Sequence, residues 1–257
     1  MGSLSSPLGW FGGKHFLAKK IVPIVDSQPH TTYVEPFAGG ASIFFKKQPS
    51  TKEVLNDINP KLIQFYEKLQ TKAEPCLVYN TKEEFSQAQQ NLNSSSWTAC
   101  DFFRVNKGSF AGKMIDYGRS SYCDQTSGQC HMKKYNQIYP QYEQRLKNVK
   151  LHNQDYINMI QQYDSPDTFF YVDPPYDVNS SKFYKVNLSA VSPEKIAENF
   201  KHVKGKVLIS FNDSPEVRSI FQKHGYFLKS LSTSYNATNQ VPRQTKEELL
   251  ITNFKLP

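Results

Sequence analysis

The segment Tyr33-Val-Glu-Pro-Phe-Ala-Gly-Gly-Ala-Ser42 is the clearest guide to the architecture of this chain. A short apolar strand runs into a Gly-Gly turn and then into a helix-compatible stretch, residues 41–47. Gly39 and Gly40 lack the Cβ atoms that would keep a ligand off the backbone, and the start of the helix would offer free N–H groups. The segment therefore predicts a ligand-binding turn between a strand and a helix of an α/β fold.

The same segment argues against two common types of nucleotide site. It has neither the G-x-G-x-x-G spacing of a dinucleotide fingerprint nor the G-K-[ST] sequence of a phosphate loop. Glu35, at the end of the strand, would repel a pyrophosphate. A carboxylate at this position instead favours a ligand that carries positive charge.

A second predicted strand, residues 53–58, contains Asp57 near its end, about twenty residues further on. In doubly wound sheets, an acid at this position holds a ribose by its hydroxyl groups. Asn56 and Asp57 would also suit the cap of a helix that begins near Pro60. The two roles are compatible.

The apolar run Phe169-Phe-Tyr-Val172 predicts a buried strand, and Asp173-Pro174-Pro175-Tyr176 follows it. The Asp173 carboxylate and the Pro174 carbonyl can accept the two hydrogens of an exocyclic amine, and the prolines supply no competing N–H donors. Tyr176 offers an aromatic face for a base taken out of its helix. These features indicate methylation of a nucleobase amine, although Asp and Pro also favour ordinary turns.

The order of these motifs resembles the Dam-like (class alpha) N6-adenine-specific DNA methyltransferases over nearly the whole chain. Trp10-Phe-Gly-Gly-Lys14 is similar to the N-terminal cofactor motif of that family, and residues 35–42 are similar to its methionine-binding turn. Asn56-Asp57 is similar to its ribose contact, and residues 173–176 to its catalytic motif. Residues 153–156, after a predicted strand at 149–152, are similar to the part that contacts the cofactor adenine.

The resemblance implies S-adenosylmethionine as cofactor, and its sulfonium and ammonium charges agree with the acid-lined turn. Lys14 would contact the cofactor carboxylate. The alternatives are a solvent-exposed Lys14, a Trp10 that closes the end of a core, and an Asp155 that caps a helix. The implied cofactor-binding residues are Trp10, Gly13, Lys14, Glu35, Pro36, Phe37, Gly39, Gly40, Asp57, Ile58, Asp155, Tyr156 and Asp173.

The hydrophobic periodicity after Asp173 predicts helices at 193–203 and 215–224 and strands at 206–211, 226–231 and 247–254. Strands that alternate with helices favour a parallel sheet, and the short polar loop before the last strand favours an antiparallel entry. The resemblance implies the same arrangement. We therefore predict an α/β fold with a Rossmann-like sheet of S-adenosylmethionine-dependent methyltransferases, mostly parallel with the last strand antiparallel.

Residues 71–148 break this alternation and predict a mainly helical insertion, which the resemblance identifies with target recognition. Residues 1–70 and 149–257 would form the catalytic domain. Between residues 101 and 134, six basic residues outnumber three acidic ones. Arg119 could reach a guanine edge, and Tyr117 or Phe110 could wedge into the base stack; a solvated loop with buried aromatic residues is the alternative. The predicted DNA contacts are Asn106, Lys107, Phe110, Lys113, Tyr117, Arg119, Lys133 and Lys134.

The composition of the 257 residues agrees with this scheme. A net charge of +8 favours an anionic partner. Neither a membrane-spanning stretch nor a secretory signal is evident, which predicts a cytoplasmic protein, associated with the nucleoid or in the host cell if its source is viral. Four scattered cysteines predict reduced thiols and no metal site.

Together these features predict S-adenosylmethionine-dependent methylation of adenine N6 in a specific short sequence of double-stranded DNA, with base flipping and direct methyl transfer. A cognate restriction endonuclease is a candidate partner. The alternatives are an amino-methyltransferase that acts on cytosine N4 or on RNA adenine, and a catalytically inactive DNA-binding module of the same fold.

Overall fold

The computed structural model describes residues 4–10, 12–72, 74–76, 80–118, 130–175, 188–234 and 245–256. Its described strands form one sheet in the order β3-β2-β1-β4-β5-β7-β6. The first five strands in this order are parallel, and β7 runs antiparallel to both of its neighbours. The predicted sheet, mostly parallel with an antiparallel last strand, is confirmed. The strands are β1 Thr32–Glu35, β2 Lys52–Asn56, β3 Lys150–His152, β4 Thr168–Val172, β5 Lys206–Asn212, β6 Phe227–Ser234 and β7 Thr245–Thr252.

Several of the helices begin where the sequence supplies a capping side chain. The Thr98 hydroxyl accepts the N–H of Asp101, whose carboxylate accepts the N–H of Thr98 in return. Ser192 and Ser214 cap the two helices that begin at Pro193 and Pro215, each with a proline in its first helical positions. The described α-helices are α1 Ala18–Ser27, α2 Pro60–Lys72, α3 Lys82–Asn91, α4 Ala99–Gly108, α5 His131–Leu146, α6 Tyr156–Tyr163, α7 Pro193–Phe200 and α8 Pro215–Lys223.

The helix expected at residues 41–47 is absent, and that prediction was wrong. These residues form hydrogen-bonded turns, including bonds from Phe45 N–H to the Ala41 carbonyl and from Lys46 N–H to the Ile43 carbonyl. Ala41 has a φ of 50°, in the left-handed region that a regular helix cannot include. The Glu35 carboxylate also accepts a hydrogen bond from the N–H of Phe44 at 2.8 Å. Ligand binding by a helix start therefore does not apply to this turn.

The insertion and the sheet share one hydrophobic core. Phe65 of α2 stacks on Phe102 of α4 with ring centroids 4.8 Å apart, within a buried cluster that also contains Tyr135 of α5. Lys47 and Arg145 both bind the buried Glu53 carboxylate, which joins the start of β2 to α5. Residues 71–148 therefore do not form a separate hydrophobic core. Their assignment as a distinct domain stays a prediction about function.

The cysteines form disulfides, so the prediction of reduced thiols was wrong. Cys76 is bonded to Cys100, with Cα atoms 5.5 Å apart, and Cys130 is also disulfide-bonded. The Asn136 side chain bonds both the N–H and the carbonyl of Cys76, at 2.7 and 2.6 Å, which holds this segment against α5. Sequence separation gave no indication of this proximity. In the described part of the chain, no helix has the length and apolar character needed to cross a membrane.

Candidate active site

Three acidic residues that the sequence singled out meet at one edge of the sheet. Glu35 is the last residue of β1, Asp57 follows β2 and Asp173 follows β4. The strands β2, β1 and β4 are adjacent and parallel, so their carboxyl ends lie side by side. In open α/β sheets this is the edge at which ligands bind.

The glycine turn after β1 is shaped to fit Trp10. A Cβ atom added at Gly39, whose φ is 47°, would lie 2.8 Å from the indole nitrogen of Trp10, and one added at Gly40 would lie 3.0 Å from the Trp10 Cβ. Gly13 closes a turn by donating its N–H to the Trp10 carbonyl at 2.9 Å. The side chain of Trp10, which also packs against the core, thus leaves no room for a Cβ atom at either glycine.

Glu35 is fully buried at the centre of this edge. Its Oε1 accepts hydrogen bonds from the Tyr33 hydroxyl at 2.7 Å and from the N–H of Phe44 at 2.8 Å. Burial raises the pKa of Glu35 to about 8, and the nearby Asp173 charge acts in the same direction. A positive ligand charge near this carboxyl group would favour its ionised form.

Asp57 holds the glycine turn. One carboxylate oxygen accepts the N–H of Gly39 and the other accepts the N–H of Asn59, each at 2.9 Å. Burial raises the pKa of Asp57. The Asn59 side chain accepts hydrogen bonds from the N–H groups of Lys61 and Leu62. The first turn of α2 is therefore capped by Asn59 and not, as predicted, by Asn56 or Asp57.

The neighbouring polar residues fasten the strand ends to one another. Asn56 donates to the carbonyls of Pro36 and Gln154 and accepts the N–H of Gln154, at distances of 2.9 to 3.0 Å. Asp155 accepts the N–H of Ile157 at 2.9 Å and caps α6. The helix-capping alternative for Asp155 is therefore confirmed.

Two apolar side chains remain accessible beside these acids. Ile58 is 55% exposed directly after Asp57, and the partly exposed Phe37 packs on Tyr156 with ring centroids 5.0 Å apart. Tyr156 is itself buried, and its hydroxyl accepts a hydrogen bond from the Asn199 side chain at 2.6 Å. Tyr156 is therefore fixed in position and holds the ring of Phe37 on its inner face. Apolar faces beside acids fit a cofactor that combines a flat adenine with positive charges.

Asp173 lies in a buried network of charges. Its Oδ1 accepts from the Lys14 ammonium at 2.6 Å and from the Ser210 hydroxyl at 3.0 Å. Lys14 is only 3% exposed, which excludes the solvated alternative, and it also lies 3.3 Å from Glu248. The Tyr171 hydroxyl is 3.2 Å from that of Ser210. The carboxylate of Asp173 is thereby held in one orientation.

Sequence reasoning missed Ser210 and Glu248. Both are buried polar residues, in β5 and β7 respectively. The apolar neighbours of Ser210 in β5 could have identified it, because buried polar groups need partners, whereas Glu248 follows Lys246 and Glu247 and has no such signal. After Asp173, Pro174 is buried and Pro175 partly exposed, and Tyr176 lies outside the described residues.

Two of the predicted DNA contacts serve the protein interior instead. Asn106 is 1% exposed, and its amide both accepts the N–H of Gly9 at 2.9 Å and donates to the Gly9 carbonyl at 2.8 Å. The Tyr117 hydroxyl donates to the Asn80 carbonyl at 2.8 Å, and its ring packs on Phe85. Asn106 satisfies backbone groups of a segment without regular secondary structure, so both residues have structural roles, and their assignments to DNA stay predictions.

The remaining predicted contacts differ in their exposure. Phe110 is 74% exposed, and the Lys113 ammonium lies 5.7 Å from its ring centroid. Burial lowers the pKa of Lys107, at the end of α4, to about 8. Lys133 and Lys134 lie in the first turn of α5, and Arg119 is outside the described residues.

Comparison with known proteins adds independent information. The family model described as D12 class N6 adenine-specific DNA methyltransferase matches residues 10–237. The type II methyltransferase M.CviBI of Paramecium bursaria Chlorella virus NC1A is 22% identical, over 88% of this chain and 89% of its own length. The type II methyltransferase M1.LlaDCHI of Lactococcus lactis subsp. cremoris is 24% identical, over 95% and 94% respectively.

One solved structure shows a distant likeness. The precorrin-6y C5,15-methyltransferase of Geobacter metallireducens GS-15 aligns with a TM-score of 0.44 and 8% identity, over 92% of this chain and 86% of its own. A likeness this weak assigns no role to any residue.

Proposed function

Because this chain belongs to the D12 class of N6 adenine-specific DNA methyltransferases, we propose that it methylates adenine within a short, specific sequence of double-stranded DNA. The class methylates the exocyclic nitrogen of adenine and depends on S-adenosylmethionine. The observation that carries the proposal is the meeting of Glu35, Asp57 and Asp173 at one edge of the sheet. Three acids in a chain of net charge +8 are best explained by ligands that face them.

The cofactor supplies, when bound, a methyl group activated by a positively charged sulfonium. Glu35 would complement that charge, and Asp57 would hold the ribose, since it follows the second strand of the sheet at the acid position of doubly wound folds. The exposed Ile58 and the ring of Phe37 offer apolar faces for the adenine. Trp10 and Gly39 shape the turn between them.

Asp173 is proposed to bind the amine of the target adenine. Lys14 and Ser210 occupy Oδ1, and no described residue bonds Oδ2. The amine can therefore donate one hydrogen to Oδ2 and the other to the carbonyl of Pro174. Fixed acceptors stabilise the positive charge that develops on nitrogen without having to reorganise.

Residues 71–148 are proposed to recognise the target, and residues 1–70 and 149–257 to transfer the methyl group. Phe110, which is exposed and has Lys113 beside its ring, would fill the stack from which an adenine is extruded. Lys133 and Lys134 would contact phosphates. Tyr176, through the sequence motif alone, is assigned to stack on the flipped base.

The relatives named type II methyltransferases support a further proposal about context. The protein would modify the sites of a cognate restriction endonuclease. It would act inside a cell, on chromosomal or viral DNA.

Transfer of labelled methyl from S-adenosylmethionine to unmethylated duplex DNA tests this proposal. We expect label on the duplex, found as N6-methyladenine after digestion, and saturation after a fixed number of sites per molecule. A duplex already methylated by the enzyme is the control and should accept no label. Label found as N4-methylcytosine, or only on RNA, would overturn the proposal.

A further inference from the structure

Six basic residues form a strip that begins beside the active site and continues onto the insertion. We call it the basic strip: His15, Lys19, Lys46, Lys107, His131 and Lys134. His15 directly follows Lys14, and the Lys46 ammonium donates to the His15 carbonyl at 3.0 Å. Lys107 ends α4, and His131 begins α5.

The members of the basic strip influence one another electrostatically. Burial and the charges of Lys46, Lys107 and Lys19 lower the pKa of His15. Burial and the charges of Lys107 and Lys134 lower the pKa of His131. These electrostatic influences, with the contact of Lys46 to the His15 carbonyl, link the N-terminal segment, the turn after β1 and two helices of the insertion.

The strip has no counter-charge in the part of the chain that the structure describes. None of its six residues forms an ion pair with a carboxylate there. Every charge that shifts the pKa of His15, Lys46 or His131 is positive. Uncompensated like charges destabilise a fold, so their accumulation here calls for an anionic ligand.

We propose that the basic strip binds the phosphate backbone of the DNA duplex that flanks the target base. This inference rests on the proposed function and extends the DNA interface beyond the insertion, because His15, Lys19 and Lys46 belong to the catalytic half. Duplex DNA carries one negative charge per about 1.7 Å of its axis, which suits the four lysines of the strip. The pKa values of His15 and His131 are lowered from 6.5, so these two residues are mostly neutral at neutral pH and offer hydrogen bonds instead of charge. Lysines act as point charges that position a duplex without reading its bases.

The test compares two double variants of equal charge. Lys19→Gln/Lys46→Gln removes two lysines of the strip. Lys52→Gln/Lys150→Gln removes two exposed lysines at the first residues of β2 and β3, at the opposite edge of the sheet. Each variant lowers the net charge from +8 to +6 (8 − 2). Binding of a fluorescent duplex is measured over a range of salt concentrations, with S-adenosylhomocysteine present to prevent turnover.

We expect the strip variant to bind every duplex more weakly, and its plot of log affinity against log salt to flatten by about 1.8, or about 0.9 per lost contact. Its thermal stability should be unchanged or higher, since repulsion is removed. The control variant should keep the slope of the wild type. Equal slopes for the strip variant and the wild type would overturn the inference.

Failure of the inference and failure of the proposed function give different results. If the wild-type protein binds no DNA, and salt-dependent binding is found only with RNA, both the inference and the proposed function are overturned. A wild type that binds and methylates duplex DNA, beside a strip variant with undiminished affinity and slope, overturns only the role of the strip.

Discussion

Replacing Glu35 with glutamine removes a buried carboxyl group but keeps an oxygen that can accept from Tyr33 and Phe44. The wild-type group has a pKa of about 8 because of burial, against an ordinary value of 4.5. The folded protein therefore holds a proton that the unfolded chain releases. The resulting stability is fully present below pH 4.5 and is lost as pH rises to about 8.

The size of the effect follows from these two values. Between pH 6 and pH 8, release of one proton on unfolding changes the free energy of unfolding by roughly 2.7 kcal/mol. Partial ionisation of the folded protein at pH 8 reduces this by about 0.4 kcal/mol. The wild type should therefore lose about 2 kcal/mol more stability than Glu35→Gln over this range.

Urea unfolding of both proteins at pH 6, 7 and 8, without cofactor, measures this difference. Parallel loss of stability in the two proteins would refute the burial argument for Glu35. Tyr33→Phe provides a second test, because the Tyr33 hydroxyl bond lowers the pKa of Glu35. Its removal should move the pH window upward. In the wild type, S-adenosylmethionine affinity should also rise with pH towards 8, whereas that of Glu35→Gln should stay level.

Three further substitutions separate catalytic from structural roles. Asp173→Asn should lower methyl transfer by about 100-fold or more while the circular dichroism spectrum is preserved; wild-type turnover would contradict its assignment. Asn106→Ala, which removes buried bonds to Gly9, should lower the free energy of unfolding by about 2–3 kcal/mol in urea. Unchanged stability with weaker DNA binding would instead return Asn106 to the interface. Arg145→Met leaves the buried Glu53 with one fewer partner and should cost about 3–5 kcal/mol in the same assay; a loss below about 1 kcal/mol would contradict a role for this pair in joining the insertion to the sheet.

Much of the fold could be predicted because its determinants are local. The apolar run at residues 169–172 and the proline-led helix starts at Pro193 and Pro215 specify strands and helices from neighbouring residues alone. The acids at the ends of β1, β2 and β4 could also be predicted to meet, since parallel strands align their carboxyl ends. The 41–47 helix failed because a contact from Glu35, outside that segment, governs its backbone.

The sequence by itself thus determined the order of the motifs along the chain and their positions after predicted strands. It also determined the chemistry of these motifs and the family to which the chain belongs. Only the tertiary structure decided which groups bond one another across long stretches of chain. Lys14 meets Asp173 although 159 residues separate them, and Asn106 meets Gly9 across 97. Turns, caps and periodicity depend on a few adjacent side chains. Such distant contacts, and the pKa of Glu35 with them, arise from burial and packing, which exist only after the whole chain has folded.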